Sequence, residues 1–338
     1  MSDPDITTHN ADLDRYLREL ADADDGLLGA LAIYNVTDVQ QITADELRDW
    51  FSELDLEPGH MPGPPRAIDA FEKATSSAKV SYPLGGPKRR DHGQVGQTVT
   101  LMMRPVMRDE TRLVRHMVRE LVDHGNEALS YDVEVARAEF TRAVGHGADP
   151  GDGEMTLEQV NTDVLDADER HALDELIERI TDDYDARRRY LPAERIRKML
   201  RDYIERELSA VRIHPGVYFV HRQHLGALAN LRALAGRCGA ELTRVPLPDT
   251  HESRDMVEGA FDAKVAGDLK SLARDLAREQ SDPKSYRVRQ LHKRFSAIKS
   301  HVGEHQQQMD THRTELADHL ALVEQQMTSL LMAPGDQQ

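Results

Sequence analysis

The chain has 338 residues, of which 39% are apolar and only 5% aromatic, so it can form two or three compact units with largely aliphatic cores. A single cysteine, Cys238, excludes an intramolecular disulfide and a cysteine-based zinc site. No stretch approaches the ~18 consecutive apolar residues of a membrane span, and the N-terminus lacks a signal-peptide core, so we expect a cytoplasmic protein without membrane contact.

The charge distribution indicates the cellular environment. The formal net charge is -17, acidic residues occur in every segment, and the basic residues are 34 Arg against 9 Lys. A carboxylate-rich surface is tolerated where salt screens its self-repulsion, so we expect a protein of a halophilic archaeon. In such a host, the acidic net charge of the whole chain does not exclude nucleic-acid binding, because a local basic face is enough to bind phosphates.

Residues 26–144 predict an α+β module that follows a short polar tail. Thr43 and Glu46 form a capping-box pattern that opens a helix. Later extended runs, separated by polar turns, predict an antiparallel meander. The predicted elements are a tail with a short helix over 1–25, a strand over 27–36, helices over 44–54 and 66–76, and strands over 98–107, 111–123 and 129–140.

Residues 145–164 predict a linker, because Gly, Asp and Pro are concentrated in its first half. Beyond it, residues 165–250 predict a helical module with a small β unit. Its elements are a helix over 166–188, a helix from Pro192 onward, strands over 211–213 and 217–220, a helix over 225–234 and a strand over 242–247.

Residues 251–338 predict a helical hairpin whose second helix carries an apolar residue at every seventh position. With 39% apolar residues, seven such positions in one register occur by chance roughly 0.1% of the time. As one rod ending near Leu331, this helix would be about 70 Å long and leave about 30 Å of its seam uncovered by the first helix. We therefore expect a homo-oligomer. The seam residues are Val288, Phe295, Val302, Met309, Leu316, Val323 and Leu330.

Imidazoles occupy the second seam position at His305, His312 and His319. Such polar layers usually set the register or oligomeric state of a helical assembly, and a pH-sensitive or metal-bridged assembly is the alternative. His301 and His305 also complete the string H-x-x-E-H, the inverted zinc-protease motif. Because Val302 and His305 are seam positions, we predict no metal site and no catalytic residue here.

The start of the same helix is basic, which is unusual in so acidic a chain. A solvated face is the ordinary interpretation, and contact with phosphate is the alternative. The chain contains no phosphate-binding glycine loop, dinucleotide fingerprint or nucleophile elbow, so we infer no cofactor and no small-molecule substrate. The possible nucleic-acid contacts are Lys284, Arg287, Arg289, Lys293, Arg294 and Lys299, with Lys88, Arg89 and Arg90 in a separate loop.

Three strings carry a resemblance to a known group of sequences. They are MPGPPRAIDAF at 61–71, GVYFV at 216–220 and PLPD at 246–249. Over about residues 26–250 the chain resembles a family of uncharacterised proteins encoded by phages, plasmids and prokaryotic genomes. The resemblance carries no catalytic residue, and it implies an origin in a mobile genetic element.

These patterns predict a helix-rich α+β protein with an N-terminal antiparallel sheet module, a central helical module with a small sheet, and a long C-terminal helical hairpin or coiled coil. We expect a non-enzymatic assembly or scaffold protein that self-associates through the heptad helix. A nucleic-acid-associated protein that uses the basic start of that helix is one alternative. A zinc-dependent hydrolase centred on His301 and His305 is the other.

Overall fold

The computed structural model describes residues 26–37, 39–83, 98–122, 128–144, 149, 151–279, 285–309 and 314–332. It confirms a mixed α+β protein with two antiparallel sheets. The chain divides into two compact units. We call residues 41–47 and 62–192 the five-stranded unit, and residues 1–40, 48–61 and 193–338 the four-stranded unit.

Most predicted elements are present within a few residues of their predicted bounds. Across the described residues, none of the helices is both long enough and apolar enough to cross a bilayer. In chain order the elements are β1 (Leu27–Asn35), α1 (Ala44–Glu53), α2 (Ala67–Ser76), β2 (Lys79–Pro83), β3 (Thr98–Arg108), β4 (Arg112–Val122), β5 (Ala128–Arg142), β6 (Gly153–Gln159), α3 (Ala167–Arg189), α4 (Ala193–Asp202), β7 (Val211–His214), β8 (Val217–His221), α5 (Leu225–Arg237), β9 (Glu241–Pro248), α6 (His251–Glu279), α7 (Ser285–Met309) and α8 (Thr314–Met332).

The five-stranded sheet is a meander in which each strand pairs with the next, in the order β2-β3-β4-β5-β6. Side chains alternate between the two faces of a strand, so one face of this sheet can be apolar. The helices α2 and α3 contribute to the core on that face, where the rings of Phe71 and Phe140 lie 5.5 Å apart. This arrangement confirms the predicted antiparallel meander.

The segment predicted as a linker, 145–164, instead contains β6, which pairs with β5 from Ala136 to Arg142. The short strand gives only Met155 and Leu157 to the core, which is too little alternation to recognise in sequence. Gly153 suggested a loop, but a Cβ there would collide with the backbone of β5 and with a core ring. Glycine in this strand is thus a packing requirement.

An ion pair on the inner side of this sheet fixes the start of α3. The carboxylate of Glu169 accepts a hydrogen bond from Arg119 of β4 at 3.0 Å, and the two side chains are 3% and 12% exposed. Glu169 also completes a capping box: its N–H donates to the Asp166 side chain at 2.8 Å, and its carboxylate accepts from the Asp166 N–H at 3.3 Å. One carboxylate therefore serves both the helix cap and a buried charge pair.

The four-stranded sheet has the order β7-β8-β1-β9, and all its neighbouring strands are antiparallel. Strands β8 and β9 flank β1 and are joined through α5, which makes a split β-α-β unit. With β7 outside β8, the strand order and directions are those of a ferredoxin-like sheet. This topology is shared by unrelated activities and does not by itself indicate a function.

Strand β1 was predicted to belong to the module 26–144, but its partners are β8 and β9 of the predicted module 165–250. Most of the five-stranded unit, residues 62–192, thus lies in the sequence between β1 and the strands that pair with it. Local periodicity identifies a strand and carries no information on such distant pairing. Gly29 of β1 fits because a Cβ there would meet the backbone of Val220 and the ring of Phe219.

The helices α6 and α7 form an antiparallel pair in the four-stranded unit. At the start of α7, Arg287 donates to Glu279 of α6 at 2.8 Å. At its end, the carbonyl of Met309 accepts from Arg254 of α6 at 3.0 Å. The 25 residues of α7 are therefore paired along almost the whole of α6, as the predicted hairpin requires.

The predicted single rod from 285 to about 331 is replaced by two helices, because α7 ends at Met309 and α8 begins at Thr314. Lys299 of α7 contacts Glu324 of α8 at 2.8 Å. In one straight helix these residues would lie about 38 Å apart, so α8 must run back along α7. Both helices share a core with α6, so the seam side chains that the structure describes are covered within this chain.

Candidate functional site: the C-terminal helices

The seam of α7 is buried in the core of its own chain. Its described members are packed with an apolar stripe on α6 that includes Val257, Phe261 and Leu272. The side chains of Leu316 and Leu330 lie outside the described residues. The described members are Val288, Phe295, Val302 and Met309 on α7 and Val323 on α8.

On α8 the buried face keeps the predicted position Val323 but moves the second position by one residue. Val323 and Met327 are buried and Leu320 is half-buried, whereas His319 is exposed. This offset is understandable because α8 packs against two helices, which requires a wider apolar face than a two-helix seam. His312 lies outside the described residues, and His305 is buried whereas His319 is exposed.

The two histidines of the H-x-x-E-H string lie against Phe261 of α6. The ring of His305 stacks on Phe261 with 3.7 Å between centroids, and His301 approaches the same ring edge-on at 5.3 Å. Burial lowers the pKa of His301, and the charge of Lys264 lowers it further. Both imidazoles are therefore part of the packing between α6 and α7.

The glutamate of that string is also engaged. The carboxylate of Glu304 accepts a hydrogen bond from Ser209 at 2.8 Å and another from Ser300 at 2.9 Å. In the part of the chain that the structure describes, no group of three His, Cys, Asp or Glu residues could hold a metal ion. The geometry favours a packing role for the string over the zinc alternative.

Several basic residues at the start of α7 form ion pairs within the chain. Arg287 contacts Glu279, Arg294 contacts Asp275 at 3.0 Å and Lys299 contacts Glu324. The first two bind α7 to α6, and the third binds it to α8. Arg289 and Lys293 are exposed. Lys284 and the loop residues Lys88, Arg89 and Arg90 lie outside the described residues.

Sequence reasoning missed a second group of histidines, at the contact between α7 and the turn after β8. His221 ends β8 and His224 lies three residues later, and both approach Gln308 near the end of α7. Both residues lie beyond the predicted strand over 217–220 and before the predicted helix over 225–234. Their only sequence signal was the short string His-Arg-Gln-His, which matches no motif.

Comparisons with curated proteins and with solved structures find no match for this chain. A family model matches residues 27–336. This match spans both units and includes the C-terminal helices, which lay outside the resemblance over 26–250. The chain therefore belongs to DUF6744, a family of unknown function.

Proposed function

We propose that the protein is a non-enzymatic assembly or scaffold protein, of a mobile genetic element, that forms homo-oligomers by exchanging α8 with a second copy. The residues that suggested chemistry are engaged in packing, because His301 and His305 contact Phe261 and Glu304 binds two serines. Burial raises the pKa of Cys238 to about 12, so its thiol is a poor nucleophile at neutral pH. These observations favour a binding role.

The proposal is carried by one observation: an apolar residue recurs at every seventh position through two antiparallel helices, although the second buried position moves by one residue on α8. Val302 and Met309 of α7 keep this spacing with Val323 of α8. A chain reversal does not require a shared spacing on its two sides, whereas one continuous helix with an apolar seam does. The connecting residues 310–313 (DTHR) contain neither Gly nor Pro, which usually mark helix ends. The sequence is therefore also compatible with a continuous helix.

Exchange between two copies would explain why the seven-residue spacing of apolar residues continues from α7 into α8 although α8 folds back on α7. In the extended form, α8 would leave the α6 of its own copy and pack on α6 and α7 of the second copy. That copy offers the same apolar groove and the same Lys299 for Glu324. Since every interaction that α8 gives up in its own copy forms again in the second copy, the exchange costs little and depends on protein concentration.

A change in the connection tests this proposal. Replacing Thr311 with Pro and His312 with Gly should weaken self-association at least ~100-fold, because Pro in a helix interior costs ~3 kcal/mol and Gly ~1 kcal/mol. Molar mass is measured by light scattering at high salt over a dilution series, and circular dichroism reports helix content. The matched control replaces the same two residues with Ala, which favours the helix and should preserve association.

Two outcomes contradict the proposal: a wild type that stays monomeric at every concentration, or a Pro-Gly variant that associates as strongly as the Ala-Ala control. Charged substitutions in the seam are less informative. Met309 is buried in the folded-back form, so Met309→Asp would disturb the monomer as well.

Nucleic-acid binding by the start of α7 is the alternative function. We expect the wild type to show no salt-sensitive retention on immobilised DNA or RNA, because Arg287 and Arg294 are already paired with carboxylates of α6. Retention at moderate salt that falls with Lys293→Gln, and not with Lys270→Gln on α6, would favour the alternative. Both lysines are exposed, which makes the two variants comparable.

A further inference from the structure

Three histidines lie where α7 meets the four-stranded sheet and its adjoining loops. His221 ends β8, His224 lies in the turn before α5, and His301 lies on α7 beside Ser209, which precedes β7. We call these three residues the histidine junction. Burial favours the neutral imidazole at each of them, while the backbone hydrogen bonds to Gln308 and Ser209 favour the protonated one.

His221 uses its ring as a hydrogen-bond acceptor. Its Nδ1 accepts from the backbone N–H of Gln223 at 3.5 Å, which caps the turn after β8. The hydrogen bond with the backbone of Gln308 on α7 therefore falls to Nε2. A second proton would occupy Nδ1 and remove the acceptor.

His224 is also an acceptor. Its Nε2 lies 3.0 Å from the side-chain nitrogen of Gln223 and 3.4 Å from that of Gln308. An amide nitrogen only donates, so Nε2 must carry a lone pair in this arrangement. Protonation would require the amides of Gln223 and Gln308 to rotate and present their oxygens to Nε2.

His301 has a buried ring nitrogen that suits the neutral form. The ring hydrogen-bonds to the backbone of Ser209, and its Nε2 is buried with no hydrogen-bond partner among the described residues. Phe261 covers one side of the ring. A proton on Nε2 would create a buried donor without an acceptor, which is costly.

The charged surroundings oppose protonation at His221, favour it at His224 and act in both directions at His301. Burial is the main reason that the pKa of each of the three histidines is lowered. For His301, Lys264 opposes protonation, whereas Glu304 and Asp268 favour it. The charged groups are Arg222, Arg254 and Asp249 around His221, Glu207 and Glu304 around His224, and Lys264, Asp268 and Glu304 around His301.

We propose that the histidine junction makes the docking of α7 on the four-stranded sheet and its loops pH-sensitive, so that acidification releases the helix. Protonation would remove the Nδ1 acceptor of His221, which caps the turn that contacts Gln308, and would place a buried donor without an acceptor at Nε2 of His301. The backbone hydrogen bonds to Gln308 and Ser209 favour the protonated rings and partly offset this cost. The stabilisation is complete above the ordinary histidine pKa near 6.5. It is lost progressively as the pH falls below that value, because the released state binds protons that the docked state does not.

Hydrogen exchange of the amides in the second half of α7, corrected for the intrinsic pH dependence of exchange, measures the opening. Each histidine that gains a proton on opening raises the opening constant up to ~10-fold per pH unit. We expect at least a ~10-fold rise between pH 7 and pH 5. The imidazole signals of the wild type, followed by NMR over the same range, give an independent reading that needs no variant.

The variants His221→Gln and His301→Gln, combined, keep an amide that can hydrogen-bond but cannot titrate in this range. The pH dependence of opening should fall in this double variant and stay unchanged in His292→Gln, which alters an exposed histidine of the same helix. An opening constant of the α7 amides that does not change with pH would overturn the inference. Imidazole signals of the histidine junction that titrate at or above pH 6.5 would also overturn it.

Any effect of this release on assembly rests on the proposed function, so the two are measured separately. If released helices pair with a second copy, the molar mass at pH 5 should exceed that at pH 7. Faster opening without a change in molar mass supports the pH-sensitive junction and shows that release of α7 does not promote association. If the molar mass and the opening constant of α7 are both the same at pH 5 and pH 7, the pH-sensitive junction is contradicted. The proposed exchange of α8 is not affected by that result.

Discussion

Replacing Glu169 with Ala should lower the free energy of unfolding of the five-stranded unit by ~3–5 kcal/mol, because it leaves the buried guanidinium of Arg119 without this carboxylate. The substitution also removes the acceptor for the Asp166 N–H at the start of α3. Urea denaturation at constant salt measures the decrease in the free energy of unfolding. Hydrogen exchange in α3 shows that this unit is the one that opens.

Removing both charges should cost much less than removing one. The double variant Arg119→Leu, Glu169→Leu replaces the pair with apolar side chains. Replacing a buried ion pair in this way often leaves the free energy of unfolding almost unchanged. The exposed pair of Lys299 with Glu324 is the control, since Glu324→Ala should cost at most ~1 kcal/mol. A double variant as unstable as Glu169→Ala would show that the damage comes from packing and not from the loss of the Glu169 charge beside Arg119.

Phe261→Ala should have an effect of similar size in the four-stranded unit. The ring is fully buried and contacts both His301 and His305, and removing such a side chain typically costs ~3–5 kcal/mol. Thermal unfolding followed by circular dichroism measures the loss, and the α6 and α7 amides should lose protection first. Because this change empties the contact between two helices, it should also loosen α7 at neutral pH.

Leu322→Ala on α8 is the matched control, because Leu322 is 56% exposed and its truncation should change stability by less than ~0.5 kcal/mol. Equal losses for the two substitutions would mean that Phe261 does not anchor the terminal helices. A loss for Phe261→Ala confined to the five-stranded unit would contradict the division of the core described above.

The fold was predictable where local chemistry alone determines it. The capping box is formed as predicted, with the Glu46 N–H donating to Thr43 Oγ1 at 3.2 Å and the Thr43 N–H donating to the Glu46 carboxylate at 2.9 Å. The meander follows from alternating runs joined by short turns. The pairing of β1 with β8 and β9 was not predictable, since it depends on contacts between segments far apart in sequence.

The candidate site shows the same division. The seven-residue spacing predicted the buried face of α7, because periodicity reports which side of a helix avoids water. It could not reveal whether the covering surface belongs to this chain or to another. That choice depends on the direction of α8, which buries Val323 and Met327 in the core shared with α6. The histidine junction combines the turn after β8 with residues of α7 that lie much later in the chain, so no local pattern indicated it.

The position of β1 has a consequence for biosynthesis. This strand leaves the ribosome early, yet its partners begin only at Val217 and Glu241. At ~5–20 residues per second, β1 stays unpaired for on the order of ten seconds or more, while the intervening five-stranded unit can already fold. Late closure of such a long loop is slow, and an exposed apolar strand can aggregate meanwhile. The sequence LLGALAIYN of β1 should therefore benefit from chaperone binding during synthesis.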